Sequence, residues 1–451
     1  MSPMSRRPYP SHGAGGSSPA DSGRPPGSRR LARAAVALVV LAAAAAMGAG
    51  LIEVGGASGD AQPPGHQHMA AAGTTPAAGT GATTPAAGAQ TGSARPTLPG
   101  GQVRTYYIAA DQVAWNYAPD GRNMITGRRF GRVEKTWVKR GRTRIGSTYR
   151  KSLYRQYTDG SFRHRAAVAS RWRHLGFLGP VIQAEVGDTI VVHFKNQTPF
   201  PASVHPHGVF YPKHSEGAPY SDGTTGDRKA DDAVRPGRQT TYVWQVPERS
   251  GPGTGDGSSV MWMYHSHTDE VADVYAGLVG PMIVTKRGMA RPDGSPTDVD
   301  RQLVTMFMVD DENQSPYLGA NIRRYLGRKL RGRGRESAEL RENDAFAESN
   351  LMHSINGYVY GNGPMMSMRA GERVRWYVMD MGSEDDTHTP HWHGNVVTTT
   401  MGMRMDVIQL LAGSMQTVDM QPDDTGIWLF HCHVNDHITA GMSTRYRVDN
   451  P

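Results

Sequence analysis

Cysteine is almost absent from this chain, which contains one, Cys432, among 451 residues. A single cysteine excludes an intramolecular disulfide. The fold must therefore be stabilised by packed cores and bound metals rather than by covalent cross-links.

Excess positive charge is small over most of the chain, although the formal net charge is +8. Residues 1–33 contain six arginines and one aspartate, so all later residues together carry a net charge of about +3. No basic stripe interleaved with aromatic side chains occurs, and we expect no nucleic-acid partner.

Long amphipathic helical patterns are also missing. From residue 103 onward, short apolar segments such as 106–108 and 189–194 are separated by turns rich in Gly, Pro, Asn and Asp. This pattern is typical of all-β sandwiches. Together with the length of the chain it predicts two domains, over residues 101–290 and 300–451, with a linker between them.

Residues 1–52 resemble an export signal, because an arginine-bearing polar segment precedes an apolar run over 34–52. Arg29 and Arg30 form a loose match to a twin-arginine signal, so the Sec and Tat routes both stay open. The run is also long enough to remain as a membrane anchor. We expect a periplasmic, extracellular or cell-surface protein.

Residues 53–100 are of low complexity and contain TTPAAG twice. Such a segment has too little apolar surface to offset its ordering entropy, which predicts a disordered linker. His66 and His68 could bind copper, although a histidine pair in a linker is more often incidental.

The densest chemical signal lies at residues 426–442, where an apolar strand ends in His431-Cys432-His433. Side chains alternate between the two faces of a strand, so both histidines face away from the cysteine. His437 and Met442 follow in a predicted turn. Two histidines, a thiolate and a weak thioether form the ligand set of a blue copper.

Three further histidine motifs occur, two in the first half and one in the second: His205-Pro206-His207, His265-Ser266-His267 and His388-Thr389-Pro390-His391-Trp392-His393. The four H-x-H pairs supply eight imidazoles, enough for a three-copper cluster, and His388 is left over for the blue copper. One copper would collect single electrons, and the flanking histidines would pass them to a cluster that reduces O₂. This arrangement is identified as a multicopper oxidase.

Other segments resemble the ceruloplasmin and hephaestin branch of these oxidases. The resemblance implies cupredoxin-like Greek-key domains, of which this chain would have one pair. That domain plan is similar to two-domain bacterial oxidases such as the small laccases. The similar segments are residues 106–110, 115–119, 153–159, 175–180, 310–315 and 348–357.

The resemblance implies four coppers per functional unit and a role for each ligand. The type 1 copper would be bound by His388, Cys432, His437 and Met442, and the type 2 copper by His205 and His391. The type 3 pair would be bound by His207, His265, His267, His393, His431 and His433. The first domain has Ser266 and Ala202 at type 1 ligand positions, so no blue copper is expected there.

In the two-domain family the three-copper cluster lies between the first domain of one subunit and the second domain of the next. A closed ring satisfies every half-site of such a head-to-tail contact. The resemblance therefore implies a homotrimer.

Three reductants remain open. Resemblance to ferroxidases implies an Fe(II) site at Glu348, His353 and Asp436, with Glu384 contributed from another subunit. A laccase acting on phenols or aromatic amines is one alternative. A cuprous oxidase is another, because thioethers such as Met401, Met403 and Met405 could receive Cu(I), although packing of flexible apolar side chains is the commoner explanation.

Two smaller expectations complete the prediction. Resemblance to a ceruloplasmin loop implies a calcium site at the Lys213 carbonyl, Asp231 and Asp232, with a solvated acidic loop as the alternative. Residues 323–335 contain seven basic side chains and are interpreted as a solvated surface loop. A copper nitrite reductase is disfavoured by the HCH motif in the second half, and a copper carrier would not need eight histidines.

Overall fold

The computed structural model describes residues 100–327, 340–383 and 386–451. The predicted leader, residues 53–99 of the predicted linker and Glu384 lie outside the described residues. The described residues all lie in one compact unit. In the described part of this unit, no helix is long and apolar enough to cross a membrane.

The first half contains eight strands in two four-stranded sheets with the orders β2-β1-β4-β6 and β3-β8-β7-β5. The strands are β1 (Val103–Asn116), β2 (Thr148–Tyr157), β3 (Ile182–Glu185), β4 (Thr189–Asn196), β5 (His205–Pro206), β6 (Gln239–Gln245), β7 (Ser259–His265) and β8 (Val279–Thr285).

The described residues of the second half form twelve strands in the orders β10-β9-β12-β18-β15-β16, β11-β20-β19-β14 and β13-β17. They are β9 (Arg301–Asp311), β10 (Leu351–Ile355), β11 (Met366–Arg369), β12 (Val374–Asp380), β13 (Thr387–His388), β14 (Pro390–Trp392), β15 (Val397–Thr399), β16 (Arg404–Met405), β17 (Leu410–Leu411), β18 (Met415–Met420), β19 (Gly426–Cys432) and β20 (Ser443–Asp449).

The two halves repeat one topology. β1 pairs with β4 in parallel and β3 with β8, and β9 pairs with β12 and β11 with β20 in the same way. The neighbouring pairs β1–β2 and β9–β10 are antiparallel in both halves. The predicted all-β fold with cupredoxin-like sandwiches is thereby confirmed, and the repeat places β7 and β19, which carry the histidine motifs, at equivalent positions.

Short helices connect the strands: α1 (Lys135–Val138), α2 (Glu270–Ala276), α3 (Leu318–Leu326), α4 (Asp344–Glu348) and α5 (Asn435–Ala440). The predicted surface loop over residues 323–335 is wrong at its start, because residues 323–326 belong to α3. Residues 328–335 of this loop lie outside the described residues. Buried Ile322 and Leu326 hold one face of α3 against the core, and the arginines occupy the other face.

Three large apolar cores, with a small cluster around Phe162, stabilise the described fold. One lies inside the first sandwich around Phe194 and Trp244, and a second lies inside the second sandwich around Trp376 and Phe430. The third joins the halves, since residues such as Tyr117 pack in the same cluster as residues of β9 and β12. The two sandwiches are therefore held together by a buried apolar interface.

Candidate metal centres

Three side chains in the second half converge on one point. β13 ends at His388, β19 ends at Cys432, and α5 carries His437. Cys432 Sγ lies 3.8 Å from His388 Nδ1 and 3.6 Å from His437 Nδ1, and the two Nδ1 atoms are 3.1 Å apart. One thiolate and two imidazoles facing a common point fit the trigonal ligand set of a type 1 copper.

Met442 is placed by the end of α5. Gly441 terminates the helix with φ +114°, and a Cβ at this position would lie 2.9 Å from the Tyr360 ring. The Met442 carbonyl then accepts the Cys432 N–H at 3.1 Å, and the Met442 side chain is fully buried in the same core as the cysteine. The predicted thioether therefore packs in the core that contains Cys432.

The surroundings of Cys432 favour the thiolate form of its side chain. Burial raises the pKa of Cys432, but hydrogen bonds from His388, His437 and backbone N–H groups outweigh burial and lower the pKa to about 6. The thiolate is the form that binds a metal, and it predominates at neutral pH.

Two buried carboxylates behind His388 were not identified from the sequence. His388 Nε2 lies 3.1 Å from Asp386 Oδ1 and 3.6 Å from Asp380 Oδ1. Burial lowers the pKa of His388, but these acids and Cys432 raise it to about 9. Asp386 could have been suspected from its position two residues before His388, whereas Asp380 lies at the end of β12 and has no sequence signal.

The second-half histidines form one cluster on the other face of β19. His431 Nε2 lies 3.2 Å from His391 Nδ1 and 3.0 Å from His393 Nε2. The His433 ring lies 5.2 Å from the His391 ring and 5.5 Å from the His431 ring. The exposed Asp406 lies 3.6 Å from His391 Nε2 and was also missed.

The first-half histidines form a matching cluster. His207 Nε2 lies 3.0 Å from His265 Nε2, and the His205 ring lies 5.1 Å from the His267 ring. Glu270, another residue missed from the sequence, lies 3.2 Å from His267 Nε2.

In both clusters, the first histidine of an H-x-H motif bonds the carbonyl of the following residue through Nδ1. The Nδ1 of His265 bonds the Ser266 carbonyl at 3.1 Å, and the Nδ1 of His431 bonds the Cys432 carbonyl at 2.7 Å. A carbonyl only accepts, so Nδ1 carries the proton and each Nε2 offers a lone pair. Burial, with neighbouring histidines, lowers the pKa of His265 to about 3 and of His207 to about 4. Neutral imidazoles with their lone pairs facing each other fit metal ions between them.

The first half lacks the type 1 ligand set at the matching positions. Ser266 replaces the cysteine, and its hydroxyl donates to Asp273 at 2.6 Å. Counting from the matched motifs, Ala202, Val271 and Ala276 stand where the second half has His388, His437 and Met442. None of these four side chains offers a thiolate, an imidazole or a thioether.

The two histidine clusters are separate within one chain. Among residues 100–327, 340–383 and 386–451, every ring contact of these histidines stays inside its own half. His433 is exposed, and His205, His207 and His393 are partly exposed. Each cluster therefore offers half of the predicted eight ligands.

Three of the four predicted iron ligands lie near the type 1 centre. Glu348 ends α4, His353 lies on β10 with its ring 5.1 Å from the His437 ring, and Asp436 precedes His437 in α5. Burial and the Asp436 carboxylate raise the pKa of Glu348, and burial lowers the pKa of His353 to about 4. Trp137 of the first half covers His353 at 6.1 Å, a contact that the sequence did not indicate.

The predicted calcium loop holds its acids beside two lysines. Lys213 Nζ lies 2.6 Å from Glu216, and Lys229 Nζ lies 3.2 Å from Asp222 and 3.3 Å from Asp232. Asp231 is buried, and its Oδ2 accepts the Gly217 N–H at 2.9 Å. The ammonium groups compensate charge in this loop, and calcium binding stays a prediction.

The methionines divide into two groups. Met366, Met368 and Met420 are buried in the second core, in agreement with packing. Met401 and Met403 lie between β15 and β16 and are 77% and 49% exposed. Packing does not explain this second pair.

Two cupredoxin-like sandwiches with one thiolate centre and two histidine clusters define a copper protein. Two family models described as multicopper oxidase match residues 174–288 and 337–451. The chain belongs to the multicopper oxidase family.

Similar proteins include human Ferroxidase HEPHL1, mouse Hephaestin and human Ceruloplasmin. They are 44%, 42% and 39% identical to this chain over 356, 355 and 349 residues. The matches cover 78%, 78% and 76% of this chain but 30% of each relative. A solved structure of a multicopper oxidase aligns with 78% of this chain. The alignment covers 92% of the solved chain, with 17% sequence identity and a TM-score of 0.48.

Proposed function

We propose that this protein oxidises a one-electron donor in its second half and reduces O₂ to water at a centre built from both histidine clusters. The observation that carries the proposal is the position of Cys432 between His431 and His433 on β19. The cysteine belongs to the thiolate centre, and its neighbours belong to the histidine cluster. The peptide chain therefore joins the two centres directly.

Copper supplies the one-electron redox chemistry and the reduction of dioxygen when it is bound. We assign the type 1 ligands as His388, Cys432, His437 and Met442 because their donor atoms are soft or imidazole and are buried together. His205 and His391 are assigned to type 2 copper. The remaining six histidines are assigned to the type 3 pair: His207, His265, His267, His393, His431 and His433.

The assembly that we propose is a homotrimer. The separation of the clusters within one chain supports it, because each chain carries half of the ligands on each of two surfaces. Exposed apolar side chains accompany both halves, with Phe210 and Val271 beside the first cluster motifs and Val396 beside the second. A second copy of the chain fits such surfaces. Light scattering on copper-loaded protein tests the assembly, and a fully active monomer contradicts it.

The donor that we propose is Fe(II). Glu348 and Asp436 supply hard oxygen ligands, and His353 Nδ1 contacts the Leu351 carbonyl at 3.2 Å, which leaves Nε2 for a metal. Hard carboxylate ligands stabilise Fe(III) over Fe(II) and ease electron loss. The similarity to Ferroxidase HEPHL1 supports the same donor.

Cu(I) is the second candidate donor, because Met401 and Met403 expose thioethers to solvent. Oxygen consumption with Fe(II), Cu(I) and a phenol on one copper-loaded preparation separates the candidates. We expect the highest kcat/KM for Fe(II). A preference for Cu(I) that is lost in Met401→Leu/Met403→Leu, or a preference for the phenol, contradicts the iron proposal. We also propose export of the protein, as the residues of the leader predict.

A further inference from the structure

The two nitrogens of His388 face different surroundings. Nδ1 points to Cys432 Sγ and His437 Nδ1, the atoms of the thiolate centre. Nε2 points away from that centre, to Asp386 Oδ1 at 3.1 Å. A neutral imidazole that binds a metal through Nδ1 carries its hydrogen on Nε2. The Nε2–H therefore donates to the Asp386 carboxylate.

Asp386 is held rigidly in this position. Its Oδ1 also accepts the Val309 N–H at 2.6 Å, and its Oδ2 accepts the Ser383 N–H at 2.9 Å. The side chain is buried, so water does not compete for these bonds. Three donors on one buried carboxylate fix both its orientation and the ring plane of His388.

Asp380 places a second carboxylate behind the first. It is fully buried, its Oδ1 lies 3.6 Å from His388 Nε2, and neither of its oxygens has a hydrogen-bond partner in the described part of the chain. Burial raises the pKa of Asp380 to about 8, against the opposing effect of His388. Asp386 is therefore the carboxylate that bonds His388.

The carboxylates act on one imidazole of the centre. They contact His388, whereas His437 lies against the His353 ring on the side of the proposed iron site. His388 is therefore the anchored ligand, and His437 is the ligand on the side where the donor would bind.

We propose that Asp386 is a positioning residue that lowers the reduction potential of the type 1 centre. A hydrogen bond to a carboxylate makes His388 a stronger donor, and nearby negative charge favours the more positive, oxidised metal. A lower potential restricts the centre to strongly reducing donors, such as Fe(II) held by carboxylates. This last step rests on the function proposed above.

The first test is a redox titration of copper-loaded Asp386→Asn, followed by the thiolate-to-copper absorption band. We expect copper to bind about 10- to 100-fold more weakly. We also expect the ratio of Cu(II) to Cu(I) affinity to fall at least about tenfold, which raises the one-electron potential by about 59 mV. Asp188→Asn is the matched control, since Asp188 is equally buried and accepts backbone N–H groups of the first half. Its potential should match that of the wild type.

One further measurement keeps the proposal testable if Asp386→Asn loses copper. In the apoprotein above pH 9, the pKa to which the neighbouring acids and Cys432 raise His388, nitrogen NMR should show the hydrogen of the neutral ring on Nε2, and this preference should weaken in Asp386→Asn. A potential that stays unchanged or falls in copper-loaded Asp386→Asn overturns the proposal, as does hydrogen on Nδ1 alone in the neutral wild-type ring.

The selectivity of the variants separates this proposal from the proposed function. With a raised potential, turnover of a high-potential phenol should increase relative to Fe(II). If the potential rises but the wild type does not oxidise Fe(II), the role of Asp386 stands and the iron proposal fails. If the potential does not rise while Fe(II) oxidation is normal, the role of Asp386 fails alone.

Discussion

Lys151 of the first half donates to Glu312 of the second half with a distance of 2.7 Å between Nζ and Oε1, and both side chains are fully buried. The same ammonium also donates to the Tyr117 hydroxyl at 2.8 Å and to the Tyr275 carbonyl at 3.0 Å. Burial raises the pKa of Glu312 to about 7, although Lys151 opposes this. One ion pair therefore links the two sandwiches inside their common core.

Breaking this pair should destabilise the protein strongly. Lys151→Met leaves the Glu312 carboxylate buried without its cation, and we expect the free energy of unfolding to fall by about 3–5 kcal/mol. Adding Glu312→Leu removes one of the two carboxylates that lose their cation, the other being Asp310 at 3.6 Å from Lys151 Nζ, and should recover part of the loss. Urea unfolding of the apoproteins measures both effects. A double variant that is as unstable as the sum of the two single variants would show that the residues do not interact.

His174 should make stability depend on pH in the acid range. Its Nε2 accepts the Val304 N–H at 3.1 Å, and burial lowers its pKa from 6.5 to about 4. The unfolded chain therefore binds a proton that the folded chain excludes, so the contribution is complete above pH 6.5 and is lost as pH falls towards 4. The loss is about 3 kcal/mol.

The free energy of unfolding of the wild type and of His174→Gln should be measured from pH 7 to pH 4, and the slopes of the two curves against pH compared. The glutamine oxygen can still accept the Val304 N–H but does not titrate in this range. The wild type should lose stability more steeply below pH 6.5. Parallel curves would contradict the assignment.

The trimer should allow two inactive variants to complement each other. His207→Ala damages the first cluster and His393→Ala damages the second, so neither variant alone can build a complete centre. After the two are mixed during refolding, one kind of interface joins an intact second half to an intact first half. Random mixing gives about one quarter of the wild-type number of centres.

The control for complementation is a chain that carries both substitutions. It should stay inactive when it is mixed with either single variant in any proportion, because no intact interface can form. Oxygen consumption after mixing is the readout. Recovery of no activity from the two single variants would contradict a centre shared between subunits.

The iron site should fail selectively when its carboxylates are neutralised. Each carboxylate would hold the iron through its negative charge, so Glu348→Gln or Asp436→Asn should lower kcat/KM for Fe(II) roughly 10- to 100-fold, which is about 1.4–2.7 kcal/mol. A bulky organic dye, which needs only access to the electron-entry surface, should be oxidised as before. Asp344→Asn, at the exposed start of α4, is the control. An equal loss with Fe(II) and the dye would indicate damage to the copper centre.

The local chemistry of the thiolate centre could be predicted because strand alternation alone separates Cys432 from His431 and His433. The repeated all-β architecture followed from short apolar segments between turns. By contrast, Asp380 and Trp137 reach the site from distant positions in the chain, so their contacts depend on how strands and halves pack. No local pattern distinguishes such residues from ordinary core residues.

The methionines show a different limit. Alternation of Met401, Met403 and Met405 is the pattern of a strand, but the first two residues lie at the turn between β15 and β16, where their side chains meet solvent. Periodicity describes which side chains share a face, and it does not show whether a neighbouring element covers that face.

Ser266, whose hydroxyl bonds Asp273, stands where the second half has Cys432, and this difference between the halves gives the proposed ring a direction. The first half has no ligands for an electron-accepting copper, so every chain would accept electrons in its second half and pass them across one boundary to the centre shared with the following chain. No route leads back from the first half. Charge would therefore move with a single rotational sense around the assembly, and the centres would work in parallel, each supplied by one neighbour.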